Sequence, residues 1–172
     1  MPRAIAWVLT GTEPGALNLA PFSTFTWVSP YPPLIGFNVT PNDRQKDTER
    51  NIRADGEYVV HIANETLRDH LAASSRPYPA DVSEVTELGL RTTASTHVKV
   101  PRLVDAPIAM ECRVEHMLSF GRVGTHFVIG EVLAFHIDDA VMMNGRIETE
   151  LLKPLARLAG PNFGSVRRLT GL

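Results

Sequence analysis

Apolar and polar residues alternate along much of this chain with the period of two that is typical of β-strands. The clearest case is Ile108 to Phe120, where every second residue from Ile108 onward is apolar except His116. The positions between them include Glu111, Arg113 and Glu115. This pattern predicts a long strand with one buried face and one solvent-facing side, and it places Glu111 on the solvent-facing side.

A second long strand is predicted from Thr125 to Ile137, after a turn at Gly121–Gly124. Its residues are apolar on both faces, so we expect it to be covered on both sides. Further strands are predicted over Ala4–Thr10, Ala16–Trp27 with an irregularity at Pro21, Leu34–Val39 and Tyr58–Ile62, with weak strand signals in Leu88–Val104.

Helical signals are few and short. Asp47 or Thr48 is a plausible N-cap, with Gly56 just past the helix end, and Asn64 can cap a second helix. The predicted helices are Glu49–Ala54, Glu65–Ala73 and a short one over Ile147–Leu152. Many closely spaced strands with short helices predict a mainly β (α+β) chain, in the form of a barrel with helical insertions.

Composition narrows the class of protein. A chain of 172 residues is expected to form a single domain over residues 1–172. The net charge of −2 gives no reason to expect nucleic acid or a membrane surface as a partner. The apolar stretch Ala4 to Leu9 is too short for a signal or a membrane span, so a cytoplasmic location is the expectation.

Common nucleotide and metal motifs are absent from the sequence. No GxGxxG, GxxxxGK[ST] or HExxH occurs, and a single cysteine, Cys112, leaves no multi-cysteine zinc site. We therefore expect no metal. Cys112 lies on the apolar face of its strand and is expected to be inert packing. Glu111 and Glu131 are expected to serve in structural ion pairs, with Arg113 or Arg122 as partner.

Candidate binding chemistry is concentrated between Asn18 and Asn51. Arg44, Lys46 and Thr48 stand where a helix is predicted to begin, and helix N-termini with nearby cations bind phosphate. A solvated basic loop is the alternative interpretation, and Asp47 favours it unless its carboxylate faces the helix N–H groups. Small, hydroxyl and aromatic residues that could line a slot for a flat polar ring precede this segment, namely Ala20, Pro21, Phe22, Ser23, Thr24 and Phe25. A flat ring joined to a phosphate describes flavin mononucleotide (FMN).

Several stretches resemble one known family. PRAIAWVLT, NLAPFSTF, PPLIGFNV, KDTERNI, ASS followed by PYP, APIAMECRV and IGEVLAFHID occur in the order seen in the flavin reductase-like family. This is the FMN-binding split β-barrel group that includes flavoredoxins, and the similarity runs from about Pro2 to Phe163. The resemblance implies a homodimer with FMN near the subunit interface, reduced by a nicotinamide nucleotide or by a protein donor.

The resemblance also extends the set of expected cofactor residues. Asn38 would lie at the end of the strand beneath the ring, and Ser74 and Ser75 could bond the ribityl chain or phosphate unless they are ordinary loop serines. Phe163 stands where relatives usually have a tyrosine near the flavin. No catalytic residue is assigned, because the flavin carries the chemistry.

The expected function is hydride or electron transfer between reduced nicotinamide nucleotide and FMN, that is, an NAD(P)H:flavin oxidoreductase. Two alternatives stay open at this point. One is a flavoredoxin-like electron carrier without its own NAD(P)H activity, and the other is a non-enzymatic split-barrel binding protein.

Overall fold

Strands make up most of the ordered structure in the computed structural model, which describes residues 1–11, 15–41 and 45–168. In chain order the strands are β1 (Arg3–Ala4), β2 (Ala6–Thr10), β3 (Asn18–Phe22), β4 (Thr26–Ser29), β5 (Leu34–Val39), β6 (Glu57–Ile62), β7 (Thr92–Thr93), β8 (Arg102–Leu103), β9 (Ile108–Phe120), β10 (Thr125–Ile137), β11 (Met142–Met143), β12 (Arg146–Ile147), β13 (Leu155–Arg157) and β14 (Phe163–Ser165). The α-helices are α1 (Asp47–Asp55), α2 (Arg68–Ala73), α3 (Glu84–Glu87) and α4 (Thr149–Leu152), with 3-10 turns over Glu65–Leu67 and Asp139–Val141.

The main sheet is antiparallel and curls toward closure. Its strand order is β3-β2-β6-β9-β10-β5-β4, and β1, β13 and β14 form a separate three-stranded sheet. The ring centroids of Phe22 in β3 and Phe37 in β5 lie 5.0 Å apart. The Asn38 N–H of β5 also donates to the hydroxyl of Thr24, just after β3, at 2.8 Å. These contacts join opposite parts of the sheet into the predicted split barrel.

Alternation along β2 divides the core into two parts. Ala6 and Val8 point into the barrel with Val60 and Cys112 as neighbours in the same cluster. The intervening residues of β2 belong to a second cluster on the outer face, which α2, α3 and the segment 98–103 cover. Each residue of this short strand is therefore buried, on one side or the other.

Three strand predictions match the structure from end to end, namely Leu34–Val39, Ile108–Phe120 and Thr125–Ile137. The single strand predicted over Ala16–Trp27 is wrong, because β3 ends at Phe22 and β4 begins at Thr26. These two strands lie at opposite edges of the main sheet, so the chain has to turn between them. The Ala4–Thr10 prediction is likewise divided between β1 and β2, which belong to different sheets.

The predicted exposure of Glu111 is wrong. Its side chain is fully buried, because the segment 94–103 crosses the face of β9 that the alternation pattern assigned to solvent. Its partner is His136 rather than an arginine, and Arg113 lies 3.8 Å from Glu57 instead. The prediction that both faces of β10 are covered is not fully met within a single protomer, because Phe135 is 51% exposed.

Helix boundaries differ from the predicted ones at the N-termini. The predicted cap at Asp47 or Thr48 is wrong, because α1 begins at Asp47 and Lys46 occupies the N-cap position without a side-chain capping bond. Gly56 ends α1 in the left-handed conformation, as predicted. Asn64 precedes a 3-10 turn, and its side-chain oxygen accepts from the Thr66 hydroxyl rather than from backbone.

Candidate functional site

A cavity of about 620 Å³ lies between β3, the turn that follows β3 and the first turn of α1. A third wall comes from the segment just after α2. The lining residues are Asn18, Ala20, Pro21, Phe22, Ser23, Thr24, Asn38, Thr40, Lys46, Asp47, Thr48, Ser74, Ser75, Arg76, Pro77, Tyr78 and Glu84.

The wall from β3 consists of an edge strand and its following turn. An edge strand has backbone N–H and C=O groups without a strand partner, and Pro21 is tolerated there because no ladder bond is required of it. The Leu19 N–H of this strand donates to the buried Glu84 carboxylate at 2.9 Å. Burial raises the pKa of Glu84, against the lowering effect of that hydrogen bond. The Thr24 hydroxyl fixes the turn by accepting from Asn38 N–H.

The wall from α1 presents a helix N-terminus. The first hydrogen bond within α1 runs from Arg50 N–H to the Lys46 carbonyl, and the N–H groups of Thr48 and Glu49 precede this first bonded turn. The Lys46 side chain lines the cavity beside this N-terminus. The Thr48 hydroxyl accepts from the Asn18 amide at 2.8 Å and keeps its own proton to donate. Positive potential and donors therefore meet at this end of the cavity.

The wall after α2 combines a structural serine with more exposed polar groups. The Ser74 hydroxyl accepts from the Trp7 indole N–H at 2.9 Å and donates to the Leu71 carbonyl at 3.0 Å. Ser74 therefore links Trp7 of β2 to the end of α2, and it also lines the cavity. The exposed Ser75 hydroxyl donates to the Ala72 carbonyl at 2.7 Å, which leaves its lone pairs free to accept.

A buried carboxylate anchors the far side of α1. Glu49 accepts from Arg53 at 2.9 Å and from Gln45 at 3.2 Å, and its Oε1 lies 3.3 Å from Nδ1 of His126 in β10. Burial would raise the pKa of Glu49, but these hydrogen bonds and the nearby positive charges hold it below its ordinary value. The anchor ties the helix to the barrel behind the cavity.

The structure brings together ten of the residues that the sequence singled out: Ala20, Pro21, Phe22, Ser23, Thr24, Asn38, Lys46, Thr48, Ser74 and Ser75. Phe25 lies outside the wall and packs against the barrel interior. Phe163 lines a neighbouring hollow, where the guanidinium carbon of Arg157 lies 4.9 Å from its ring centroid. Arg44 lies outside the described residues.

Sequence reasoning missed several lining residues. Asn18 begins the segment in which the candidate binding residues are concentrated, and Arg76 directly follows Ser75. Both have polar side chains of a type that suits a polar binding site. Glu84 gave no local signal, because its role depends on α3 packing against β3. The other missed residues are Thr40, Asp47, Pro77 and Tyr78.

The Glu111 carboxylate and the Cys112 thiol lie away from the cavity and are enclosed by the protein. Glu111 accepts from the backbone N–H groups of Thr96 and His97 and lies 2.6 Å from His136 Nε2. The Cys112 thiol is fully buried, and burial raises its pKa well above the ordinary range. Within the described ranges, no cluster of three or more His, Cys, Asp or Glu side chains is arranged to hold a metal. None of the helices there has the length and apolar content that a membrane crossing requires.

Comparison with known proteins decides the family. A model of the flavin reductase like domain matches residues 1–150. The chain belongs to the flavin reductase-like family. An uncharacterized protein of Halalkalibacterium halodurans is 39% identical over 170 residues, which cover 95% of this flavin reductase-like chain and 81% of the relative.

Solved structures agree with this assignment. Nitrilotriacetate monooxygenase component B from Bacillus cereus superposes on the flavin reductase-like chain with a TM-score of 0.94 at 35% identity, covering 100% of this chain and 88% of that one. The Pseudomonas fluorescens 2-nitrobenzoate 2-nitroreductase NbaA gives a TM-score of 0.87 at 31% identity, and the match covers 100% of this chain and 86% of NbaA. The split-barrel fold predicted from the sequence is confirmed, and the family supports a flavin-related oxidoreductase role.

Proposed function

We propose that this protein is an FMN-dependent oxidoreductase that transfers a hydride or electrons between reduced nicotinamide nucleotide and flavin. The observation that carries the proposal is the 620 Å³ cavity, whose wall gathers ten residues chosen for FMN chemistry from sequence alone. Family membership supports a flavin as the cofactor, and we assign it to this cavity.

The phosphate of FMN fits the α1 end of the cavity. Lys46 supplies a charge, Thr48 a hydroxyl proton and the first turn of α1 its N–H groups, with Arg44 assigned from the sequence to the same role. Ser75 is available to accept from a ribityl hydroxyl. The residues present therefore suit a phosphorylated, polyhydroxylated ligand.

The flavin ring fits the wall made by β3 and its turn. Edge-strand backbone groups and the small side chains of Ala20, Pro21 and Ser23 allow a flat ring to approach closely. Phe22 and Asn38 close the wall toward β5. Bound there, the flavin would supply the hydride chemistry, and the chain would supply binding, orientation and exclusion of water.

No residue of the chain is assigned to acid–base catalysis. Cys112 faces the barrel interior with a raised pKa, and the Glu111 carboxylate is occupied by two N–H groups and His136. Both groups are enclosed by the protein, and neither lines the cavity.

We also propose that the protein works as a homodimer. The outer half of the β9–β10 hairpin exposes Leu118, Phe120 and Val123, the last with 69% of its surface accessible. The edge strand β4 exposes Trp27 at 58%. Apolar side chains in these positions are the kind of surface that a second copy would cover. The cytoplasmic location and the single domain over residues 1–172 stay predictions from the sequence.

A spectrum before and after anaerobic addition of NADH or NADPH tests the proposal. Purified protein should show the absorbance bands of bound flavin, and the nucleotide should bleach them. Flavin bands without bleaching would favour an electron carrier, and no flavin binding at all would favour a binding or scaffold protein. Light scattering reports the assembly, and a monomer with full FMN occupancy would contradict the dimer.

A further inference from the structure

A second hollow of about 350 Å³ adjoins the proposed flavin cavity. The two share Pro21, Ser23 and Ser75 as common wall residues. The hollow adds Arg3 and Arg157, together with Ile5 and Phe163. It therefore continues the cavity from the end where the flavin ring is proposed to lie.

The two arginines are neighbours by sheet register. Arg3 in β1 and Arg157 in β13 are directly opposed partners of an antiparallel pair, so their side chains leave the same face of the sheet. Like charges in this arrangement repel one another. Among the described residues, neither arginine forms an ion pair with a carboxylate. A doubly cationic surface beside a cavity favours the approach of an anion.

The aromatic ring beneath Arg157 strengthens this interpretation. The Arg157 guanidinium carbon lies 4.9 Å from the centroid of the Phe163 ring, and β14 is paired with β13 at that register position. The stacking limits the orientations of the guanidinium plane. A planar fork held in this way matches the oxygen geometry of a phosphate.

We propose that the Arg3–Arg157 hollow binds the phosphate groups of the reduced nicotinamide nucleotide that reduces the flavin. The inference rests on the proposed function, because it requires the flavin ring to lie along Pro21 and Ser23. The nicotinamide would then lie on the ring while the phosphates occupy the hollow. Arg3 and Arg157 are thus determinants of donor specificity, distinct from the residues assigned to the FMN phosphate.

The test compares a charged and an uncharged hydride donor. The variants are Arg3→Met, Arg157→Met and the double variant, with Arg157→Lys as the conservative change. Arg68→Met is the matched control, since Arg68 is an exposed arginine paired with Asp69 outside both hollows. Each protein is loaded with FMN, its FMN affinity is measured by fluorescence quenching, and anaerobic flavin reduction is followed with NADH, NADPH and uncharged N-benzyl-dihydronicotinamide.

We expect the KM for the nucleotides to rise at least about tenfold in each methionine variant and further in the double variant, which is the scale of a lost charge-assisted contact. Reduction by the uncharged donor and the affinity for FMN should stay within about twofold, as should every parameter of the control. Arg157→Lys should keep part of the affinity, because it retains the charge and loses the fork.

Other outcomes separate this inference from the proposed function. An equal loss with the uncharged donor, unchanged nucleotide KM, or weaker FMN binding would each overturn the role of the hollow while flavin binding stands. A wild-type protein that is reduced by the uncharged donor but not by the nucleotides would overturn the hollow and the proposed donor together. A wild-type protein that binds no FMN would overturn the proposed function itself.

Discussion

Two polar regions of this molecule use their hydrogen-bonding groups in different ways. Beneath the segment 94–103, the Glu111 carboxylate accepts hydrogen bonds from two backbone N–H groups and contacts the His136 ring. The protein itself therefore satisfies this carboxylate. Beside α1, Thr48 and Lys46 keep donors that face an open cavity. The Glu111 carboxylate is thus used by the fold itself, whereas the donors beside α1 remain directed at open space.

The difference shows why burial of a charged residue does not by itself mark a functional site. A buried carboxylate has to be satisfied, and the fold can satisfy it with its own backbone. A binding site is indicated when donors converge on space that the chain does not fill. The comparison therefore predicts that changes in the first region affect stability and that changes in the second affect ligand affinity.

The largest expected effect is on stability. Glu111→Ala should lower the free energy of unfolding by about 3–5 kcal/mol, because it leaves the Thr96 and His97 N–H groups and the His136 ring without their buried partner. Urea denaturation measures the loss. Glu115→Ala, an exposed change on the same strand, should stay within about 0.5 kcal/mol. A loss below about 1 kcal/mol for Glu111→Ala would remove the distinction between the two regions.

The next effect is on ligand affinity without a change in stability. Replacing Arg44 and Lys46 together with alanine should weaken FMN binding tens-fold or more, since each charge-assisted bond contributes about 1.5–3 kcal/mol. Riboflavin has no phosphate, and its affinity should change far less. Titration of flavin fluorescence measures both ligands, and Lys99→Ala, an exposed lysine elsewhere, is the control. Equal losses for FMN and riboflavin would show that these residues do not contact the phosphate.

A smaller effect is expected on the pH dependence of stability. His61 is fully buried, and its Nε2 accepts from Leu103 N–H while Nδ1 faces the Trp7 carbonyl, so the ring is neutral with the proton on Nδ1. Burial lowers the pKa of His61 from 6.5 to about 3. Between these values the unfolded chain binds a proton that the folded chain does not, so stability falls as the pH drops below 6.5.

The contribution of His61 approaches about 1.4 kcal/mol per pH unit within that window. His61→Gln retains a donor and an acceptor but does not titrate, so its unfolding free energy should depend less steeply on pH between about 6 and 5. Chemical denaturation at a series of pH values measures the two slopes. Identical slopes would mean that His61 takes up a proton in the folded protein.

The smallest effect is expected on turnover from the single cysteine. Cys112→Ala removes a fully buried thiol that lies in the barrel interior and not in the cavity wall. The rate of flavin reduction by NADH should stay within a few-fold of the wild-type rate. A loss beyond roughly a hundredfold in folded, FMN-loaded protein is the scale of a missing acid–base group and would assign this thiol a chemical role.

The first region was the harder one to predict. Strict alternation assigned Glu111 to the face of β9 that was predicted to be exposed to solvent. Alternation correctly gives the face on which a side chain lies, but it does not tell which other segment covers that face. The segment that covers it, residues 94–103, has weak strand signals and little regular structure. Its approach to Glu111 depends on contacts between residues far apart in sequence, and no local pattern encodes such contacts.

The second region was largely predictable, because most of its residues lie in one stretch of chain. The residue types of 20–24 and 46–48 suggested a ring slot and a phosphate site before any geometry was known. These residues form one cavity only because β3 and α1 pack together. The hydrogen bond from the Asn18 side-chain amide in β3 to the Thr48 hydroxyl in α1 is part of this packing. Glu84 became part of the wall only because α3 also packs against β3, and Arg76 came with the segment after α2.

Sequence by itself thus determined the β-rich class, the two long strands, the flavin reductase-like family and the residue types of the main cavity, because alternation and local motifs are properties of neighbouring residues. The tertiary structure alone decided which carboxylates are buried, which donors remain available, and that Arg3 and Arg157 lie opposite each other beside the cavity. The physical reason is that the environment of a side chain is set by residues distant in the chain, and a polar group has a binding role only where the fold leaves its hydrogen-bonding capacity facing open space.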